Sequence, residues 1–461
     1  MRLSTILLLC TAQLATAAPT PGPAAPDFPQ KADDYLQTEL QADRFAGSVM
    51  VARSNQIVFM KGYGLANREL AVPNAPNTKF RLASVTKQFT ALCILMLQEQ
   101  GKLSVEDPLA KFVPDCPPTW SAIKIRHLLT HTSGIPDYTG LADYRATVML
   151  PWPPEKLLAQ LRDKPLEFEP GARFAYSNSG YFLLSGIIAR AAGRSYEQFL
   201  EQFIFQPLGM QDSGCDHFAA ILPHRAAGYA RDGDAWVNAA YTDTTFPQGD
   251  GALYSTVEDF FRWYQCWREH KLVSADSWKA MTTPVKEQYG FGIAVVKQFG
   301  LEELAHDGRC LGFTSSMRWF PAADVFVAVF ANADSVDAGA VADNLAALLL
   351  DQPLRRPETR PTIKLAASQL EPLVGRYQFV ENSGTITTVT ASGDRLFMQT
   401  ADLPKLEFLP ESETNFFLKV QPAVQVTFWK NASGQVSRLV SQLNGVGHEA
   451  KRIQESDPGT K

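Results

Sequence analysis

The chain has 461 residues, enough for two or three domains, and its 45% hydrophobic and 20% charged residues are ordinary for a globular protein. This composition excludes a disordered or collagen-like chain. The formal net charge is −5 and no long run of Lys and Arg occurs, which argues against a nucleic-acid-binding face.

The N-terminus has the pattern of a secretory signal peptide. Met1-Arg2 is a short positive start, Leu3–Leu14 is apolar, and Ala15-Thr16-Ala17 supplies the small residues of a cleavage site. A membrane anchor is the alternative, but the apolar stretch is shorter than the about 20 residues that span a bilayer. We therefore expect residues 1–17 to be removed and the mature protein to be periplasmic or secreted, without stable membrane insertion.

An α/β domain is predicted over residues 30–350. A helix over Ala32–Leu40 precedes a hairpin of strands Gly47–Ala52 and Ile57–Tyr63, and a helix that is apolar nearly all round starts at Ser84. Later patterns predict helices at Pro154–Leu161, Gly180–Ala192, Tyr196–Phe203, Val257–Glu269 and Ala340–Leu350, and strands at Gly290–Val296, Ser316–Phe320 and Val325–Ala331. Strands at both ends with helices between them indicate a sheet covered by helices.

The periodicity changes after residue 350. Residues 351–364 hold three prolines among charged residues, which is typical of a linker. Short strands separated by turns then predict a small antiparallel barrel or sandwich over 365–455. The predicted strands are Gly375–Phe379, Thr385–Ala391, Arg395–Gln399, Phe416–Val420, Val424–Trp429 and Val436–Gln442.

Two Ser-x-x-Lys tetrapeptides occur, at Ser84–Lys87 and Ser121–Lys124. The second copy follows two prolines and precedes an alternating pattern, which predicts a loop and the edge of a strand. The first copy opens the apolar helix, where residues three apart share a face and free N–H groups stabilise a developing oxyanion. Apolar surroundings disfavour a charged lysine and so favour Lys87 as a base for Ser84. The structural alternative is a capping Ser followed by a snorkelling Lys.

Two further motifs carry groups that can take part in acyl transfer. Tyr176-Ser177-Asn178 precedes a predicted helix, and a phenol near Lys87 can act as a base while an amide orients substrate or Lys. His306-Asp307-Gly308 is predicted to end a strand that turns tightly beside a site. Each motif alone has a structural interpretation, a packed Tyr or a satisfied His, and only the combination favours function.

In this order the three motifs resemble the penicillin-recognising serine hydrolases, the group of class C β-lactamases, DD-peptidases, D-stereospecific aminopeptidases and related esterases. Accessory segments match at Leu128–Gly134, Tyr176–Tyr181, Pro207–Met210 and Gly251–Thr256. The resemblance implies an antiparallel sheet flanked by helices with an inserted helical subdomain over about 30–350. The tail at 365–455 is similar to the lipocalin-like β-domain attached to some members.

The resemblance also implies the roles of the motif residues. Ser84 attacks an acyl carbonyl, and water later releases the acyl-enzyme. Lys87 and Tyr176 share the general-base work, and which of them takes the serine proton stays open. Asn178 hydrogen-bonds within the site.

The implied oxyanion hole consists of the backbone N–H groups of Ser84 and Arg309. Next to it, this chain has His306-Asp307-Gly308 where the β-lactamases and DD-peptidases have Lys-Thr-Gly. That Lys and Thr help to hold a substrate carboxylate, whereas a histidine can be neutral at pH 7 and Asp307 would repel an anion if it faced the pocket. We therefore expect esters, amides or peptides with a free amino end rather than β-lactams as substrates.

Other functions are weighed against this prediction. A metal site at His127 and His131 lacks the H-E-x-x-H pattern, and both residues are expected to support the loop before Gly134. No nucleotide motif and no C-x-x-C pair occurs, so we expect neither metal nor organic cofactor. A class C-like β-lactamase, a DD-carboxypeptidase and a slowly deacylating sensor remain alternatives. The expected partners are small-molecule or peptide substrates, cell-wall fragments among them, and the sequence leaves the oligomeric state open.

Overall fold

The computed structural model describes residues 27–141, 144, 148–150, 153–233, 235–244, 248–355, 360–380, 385–400, 405–419, 421–443 and 446–453. The predicted signal peptide lies outside these residues, as does the centre of the predicted linker at 356–359. No helix of the described part is long and apolar enough to cross a bilayer.

All but the last of the α-helices in the described part belong to the first domain. In chain order they are α1 Phe28–Gln41, α2 Lys87–Glu99, α3 Ile125–Leu129, α4 Pro154–Arg162, α5 Asn178–Ala192, α6 Tyr196–Leu200, α7 Gln206–Leu208, α8 Val257–Arg268, α9 Ala275–Thr282, α10 Ala338–Leu349 and α11 Ala367–Leu370. A π-helical turn at Glu201–Phe205 joins α6 to α7. Single 3₁₀ turns lie at Ala83–Thr86, Leu109–Lys111, Pro118–Trp120, Tyr138–Gly140, Pro321–Ala323 and Glu371–Leu373.

The strands form one large sheet, one closed barrel and three small sheets of two or three strands each. Those of the first domain are β1 Gly47–Arg53, β2 Gln56–Tyr63, β3 Leu65–Asn67, β4 Val72–Pro73, β5 Phe80–Arg81, β6 Gly214–Cys215, β7 Tyr229–Asp232, β8 Ala235–Asn238, β9 Leu253–Ser255, β10 Ala294–Gln298, β11 Leu301–Cys310, β12 Phe313–Phe320 and β13 Val325–Ala331. Those of the barrel are β14 Gly375–Phe379, β15 Ile386–Ser392, β16 Arg395–Thr400, β17 Leu406–Pro410, β18 Asn415–Leu418, β19 Gln421–Lys430, β20 Val436–Leu443 and β21 Val446–Ile453.

The large sheet has the order β10-β11-β12-β13-β1-β2, and every neighbouring pair is antiparallel. Its central strand β13 is buried along its whole length, because helices cover both faces. Val325, Val327 and Val329 face the core formed with α1 and α10, while Phe326 and Phe330 face the helical core around α2 and α8. The continuous apolar run of β13 is therefore the sequence mark of a strand buried on two sides.

Helix α2 lies at the centre of the helical part. All of its residues from Lys87 to Leu97 are buried, which explains why its apolar positions run around the whole helix. The predicted helix start at Ser84 is wrong by one turn, because Ala83–Thr86 form a 3₁₀ turn and the α-helix begins at Lys87.

The C-terminal strands β14 to β21 close into an antiparallel barrel. Its interior is filled by side chains such as Tyr377, Leu396 and Phe428, and Leu370 and Leu373 pack against them from the turns before β14. The mixed α/β fold with a small antiparallel barrel is thereby confirmed.

Three local predictions need correction. The prediction misses β17 and β21, because their apolar residues do not alternate in a run long enough to stand out. The predicted strand edge after Lys124 is instead the helix Ile125–Leu129, whose Ile125, Leu128 and Leu129 have helical spacing and are buried.

Candidate active site

Ser84 lies in the 3₁₀ turn that joins β5 to α2. Ala83, immediately before it, has φ +46°, a left-handed conformation that is strained for a residue with a Cβ atom. The turn is fixed from both sides, since Val85 N donates to Leu82 O at 3.2 Å and Leu82 N donates to Leu253 O at 2.8 Å. The Ser84 hydroxyl is thus presented by a tight, anchored turn.

Lys87 is fully buried and has three oxygen partners. Its Nζ lies 3.0 Å from Ser84 Oγ, 2.8 Å from Asn178 Oδ1 and 2.8 Å from the backbone oxygen of Asp250. The amide and backbone oxygens only accept hydrogen bonds, so the amine must donate to both. The Ser84 hydroxyl can accept or donate, so it accepts a hydrogen bond from the protonated amine and can donate its own proton to the nitrogen once the amine is neutral.

Asn178 begins α5 and is oriented by Asp137. The backbone N–H of Asn178 donates to Asp137 Oδ1 at 3.0 Å, and its side-chain Nδ2 donates to Asp137 Oδ2 at 3.3 Å. With the amide nitrogen held by this carboxylate, the amide oxygen points at Lys87. The Asp137 carboxylate therefore decides which end of the amide faces the amine.

Tyr176 lies beside Lys87 and is 39% exposed. Lys87 Nζ is 4.9 Å from the centroid of the Tyr176 ring, and the centroid of the His131 ring is 4.3 Å from it. His131 Nδ1 accepts a hydrogen bond from Ser177 N at 3.0 Å. Burial, followed by the charge of Lys87, lowers the pKa of His131 well below its usual value, so the ring is a neutral support for the Tyr176–Asn178 segment.

His306 is held from both ring nitrogens. His306 Nδ1 is 2.7 Å from the backbone oxygen of Asp307, and His306 Nε2 is 2.9 Å from the Tyr289 hydroxyl oxygen. Burial first, and then the charge of Lys87, lowers the pKa of His306, so the imidazole is neutral at pH 7. Because a backbone oxygen only accepts, the proton belongs on Nδ1, and Nε2 accepts from Tyr289.

Asp307 points to the opposite face of β11 from His306. Its Oδ1 accepts a hydrogen bond from Arg318 at 2.7 Å, and Arg318 also pairs with Glu303 and Asp343. Desolvation acts against the carboxylate, but Arg318 outweighs it and lowers the pKa of Asp307. Asp307 is accordingly an ion-pair residue, and the repulsion of an anion considered from the sequence does not arise.

Gly308 allows β11 to approach the Ser84 turn closely. A Cβ atom at this position would lie 2.1 Å from Leu82 O, 2.4 Å from Ser315 Oγ and 3.1 Å from Ser84 N. These distances are below van der Waals contact, and two of the three atoms belong to the backbone of the turn. Only glycine therefore fits here.

The register between β11 and β12 determines the direction of the Arg309 backbone N–H. Cys310 pairs with Phe313 across a two-residue turn, so Arg309 and Thr314 form a pair without mutual hydrogen bonds and their N–H groups point away from each other. The Arg309 N–H thus points away from β12 and is not used in that pairing. The Arg309 guanidinium instead donates to the backbone oxygen of Asp334.

A buried acid that belongs to none of the sequence motifs lies next to the lysine. Asp250 is 4% exposed, its Oδ2 accepts a hydrogen bond from the Tyr138 hydroxyl at 2.5 Å, and its backbone oxygen accepts from Lys87. Burial raises the pKa of Asp250 to about 6, although the charge of Lys87 and the Tyr138 hydrogen bond act in the opposite direction. Gly251–Thr256 was noticed only as an accessory match, and a lone Asp before it carries no spacing signal.

The second Ser-x-x-Lys copy does not form a comparable site. Lys124 has a side chain that is 46% exposed and pairs with Glu106 at 2.8 Å. His127 Nδ1 accepts from the Lys124 backbone N–H at 3.2 Å, a structural contact at the start of α3. Among the described residues no group of three or more His, Cys, Asp or Glu side chains is arranged to hold a metal.

Comparisons with known proteins give matches for both parts of the chain. A family model described as Beta-lactamase matches residues 30–352, and a second, described as a domain of unknown function (DUF3471), matches residues 359–451. The chain is 30% identical to a penicillin-binding protein of Bacillus subtilis (strain 168) over 431 residues, 86% of this chain and 93% of the relative.

Two further relatives match over shorter lengths. A D-aminopeptidase of Gluconobacter oxydans (strain 621H) is 27% identical, covering 66% of this chain and 58% of its own length. Esterase EstB of Burkholderia gladioli is 33% identical, covering 44% and 54% respectively.

One solved structure extends the likeness over both parts of the chain. The octameric penicillin-binding protein homologue from Pyrococcus abyssi superposes with a TM-score of 0.64 at 25% identity, covering 92% of this chain and 99% of that one. From the family match and the shared architecture, we conclude that this chain belongs to the Beta-lactamase family of hydrolases.

Proposed function

We propose that the protein is an exported serine hydrolase that cleaves an ester or amide bond through an acyl-enzyme on Ser84. One observation carries the proposal: the buried Lys87 amine lies 3.0 Å from Ser84 Oγ while two oxygens that only accept hold its other protons. A nucleophile needs a base within hydrogen-bond reach and a third group that orients the base. Asn178 is that third group here.

The reaction follows from this geometry. Ser84 Oγ attacks the acyl carbon, and its proton passes to the neutral Lys87 amine or, through that amine, to the deprotonated Tyr176 oxygen beside it. The oxygen of the tetrahedral intermediate is stabilised by the N–H groups of Ser84 and Arg309, whose approach depends on Gly308. The proton then passes to the departing alcohol or amine, and water hydrolyses the acyl-enzyme by the reverse route.

The substrate is proposed to lack a carboxylate beside the scissile bond. His306 stands where the β-lactamases have a lysine, and its low pKa leaves the position uncharged at pH 7. Asp307 is committed to Arg318 on the other face of the strand. A neutral wall favours esters, amides and peptides with a free amino end, as in the esterase and D-amino-acid peptidase branches, including small peptides from the cell wall.

A substrate panel tests the proposal. We would measure kcat/KM for p-nitrophenyl butyrate, D-alanine p-nitroanilide and the cephalosporin nitrocefin, with Ser84→Ala as the inactive control. The expected result is turnover of the ester or the anilide at least about 100-fold faster than that of nitrocefin, a difference of about 2.7 kcal/mol in transition-state binding. Faster nitrocefin turnover would reverse the substrate assignment.

His306→Lys sharpens the same test. A lysine at this position restores the positive charge of the Lys-Thr-Gly motif, so the ratio of nitrocefin to ester turnover is expected to rise. Labelling of Ser84 by a penicillin without release of product would instead identify a sensor. Export is tested separately by the mass of the protein recovered from the medium or periplasm, which should lack residues 1–17.

A further inference from the structure

The segment that carries Asp250 is fixed tightly between α2 and α5. Thr90 Oγ1 donates to Gly249 O at 2.6 Å, and Leu253 N donates to Thr86 Oγ1 at 3.3 Å, which ties the segment to α2 on both sides of Asp250. A Cβ atom at Gly249 would lie 2.5 Å from Tyr181 O on α5. The position of the Asp250 backbone oxygen against Lys87 is therefore determined by the fold.

The carboxyl group of Asp250 is buried in an arrangement that costs stability. Oδ2 accepts from the Tyr138 hydroxyl, whereas Oδ1 is buried and has no hydrogen-bond partner within the described part of the chain. Burying a carboxylate costs free energy unless it is paired and hydrogen-bonded, and buried acids with perturbed pKa values are concentrated at functional sites. A compensating positive charge is thus expected nearby.

Lys87 is the residue that can supply this positive charge. The ionisable groups that face or act on the Asp250 carboxyl come from several elements: Lys87 on α2, Asp137, Tyr138 and Tyr144 in the segment before α4, and Tyr196 on α6. Lys87 is the only one of these groups that can carry a positive charge. His131 and His306 also interact with the charge of Lys87, and both are neutral because they are buried.

Asp137 does not serve the same purpose. Both of its oxygens already hold the Asn178 amide groups, and the Thr139 hydroxyl also donates to it. Removing Asp137 would disturb the position of Asn178, whereas the Asp250 side chain makes no hydrogen bond to any of the motif residues. The two acids therefore have separable effects.

We propose that Asp250 is a positioning residue whose carboxylate is the internal counter-ion of the Lys87 amine and sets the pH at which the Ser84–Lys87 pair becomes active. A negative charge beside the amine stabilises its protonated form and so raises the pH needed to free a base. This inference rests on the proposed serine hydrolase function. It assigns to Asp250 an effect on a proton equilibrium rather than a contact with substrate.

The test is the pH profile of kcat/KM for p-nitrophenyl butyrate in Asp250→Asn. Asparagine has the same shape, accepts the Tyr138 hydrogen bond and leaves the backbone oxygen in place, so only the charge is removed. The acidic limb of the profile is expected to move to lower pH by about one unit or more. A fall in kcat with the limb unmoved, or a limb that moves to higher pH, would overturn the inference.

Two further variants complete the design. Asp259→Asn is the matched control, because Asp259 is also a buried carboxylate with a raised pKa but it holds Asp212 N and Ser213 Oγ at the start of α8. Its pH profile should coincide with that of the parent.

If Asp250→Asn does not fold, Tyr138→Phe replaces it, because loss of the hydroxyl group favours the neutral form of Asp250. An acidic limb that moves to lower pH in this variant supports the inference. A limb that coincides with that of the parent overturns it.

Failure of this inference is distinguishable from failure of the proposed function. Full ester turnover by Ser84→Ala would remove the function itself, whatever the profile of the Asp250 variant. An inactive Ser84→Ala together with an unmoved limb in Asp250→Asn would leave the function in place and remove only the role of Asp250.

Discussion

Two Ser-x-x-Lys tetrapeptides in this chain have opposite surroundings. In the first, Lys87 is fully buried and its amine contacts Ser84, Asn178 and the Asp250 backbone. In the second, the Lys124 side chain is 46% exposed and forms an ion pair with an acid that is itself 48% exposed. Such an exposed pair contributes little to stability.

Backbone geometry explains the difference. Ser84 and Lys87 lie on consecutive helical turns, so their side chains share one face. Lys124 has an extended backbone at φ −106° and ψ 159° before α3, which separates its side chain from that of Ser121. The Ser-x-x-Lys motif can form a nucleophile–base pair only where both side chains share a helix face, the lysine is buried, and other residues hold its amine.

The largest expected effect comes from the lysines themselves. Lys87→Ala should lower kcat/KM for an ester by about 10⁴-fold, because it removes both the base and the group that orients Ser84. Lys124→Ala should leave kcat/KM within about twofold of the parent, since it breaks only an exposed ion pair. Steady-state kinetics of the two variants decide the comparison, and near-parental activity in Lys87→Ala would refute the mechanism.

Gly308→Ala should have the next largest effect. The added methyl would clash with the Leu82 oxygen and approach Ser84 N, so the turn that presents the nucleophile must move away from β11. We expect kcat to fall about 10²-fold, as for loss of an oxyanion donor. Gly186→Ala on α5 is the control, because a Cβ there meets no atom within 4 Å and helix propensity improves. Equal activities of the two variants would argue against the close approach.

Asp137→Ala should lower kcat about tenfold, the value of a lost charge-assisted hydrogen bond. Without this acceptor, Asn178 is free to rotate its NH₂ group towards Lys87, which reverses the polarity of the contact. Asp137→Asn retains one acceptor oxygen and should fall between this variant and the parent in the same assay. An unchanged kcat in Asp137→Ala would show that α5 alone positions the amide.

The smallest effect concerns stability. The pKa of Asp250 is raised to about 6, so the fold favours its neutral form; that stabilisation is complete below about pH 4 and is lost as the pH rises through 6. Asp250→Asn removes the charge and should raise Tm relative to the parent by about 4 °C at pH 8 and by less at pH 4.5. Thermal melts at both pH values measure this. A larger gain at the acidic pH would contradict the sign.

Much of the fold could be predicted from the sequence because its elements have strong periodicity. The buried run Val325–Ala331 and the apolar helix α2 were identified with nearly the observed bounds. Strand β17 was missed because it has only five residues, and strand β21 because its polar and charged residues interrupt the apolar alternation.

The residues of the candidate site also differ in whether the sequence predicts them. Ser84, Lys87, Tyr176 and Asn178 belong to short motifs, and the structure brings them together around one amine. Asp250 belongs to no spacing pattern, since its relevance depends on burial and on a tertiary approach to α2. Neither quantity can be read from local sequence.

The most direct test of the account is the intact mass of the protein after brief mixing with p-nitrophenyl butyrate. We predict a transient adduct of one butyryl group in the parent and in Ser121→Ala, and no adduct in Ser84→Ala. This result would assign the nucleophile to the buried copy of the motif. An adduct that persists in Ser84→Ala, or disappears in Ser121→Ala, would contradict the central claim.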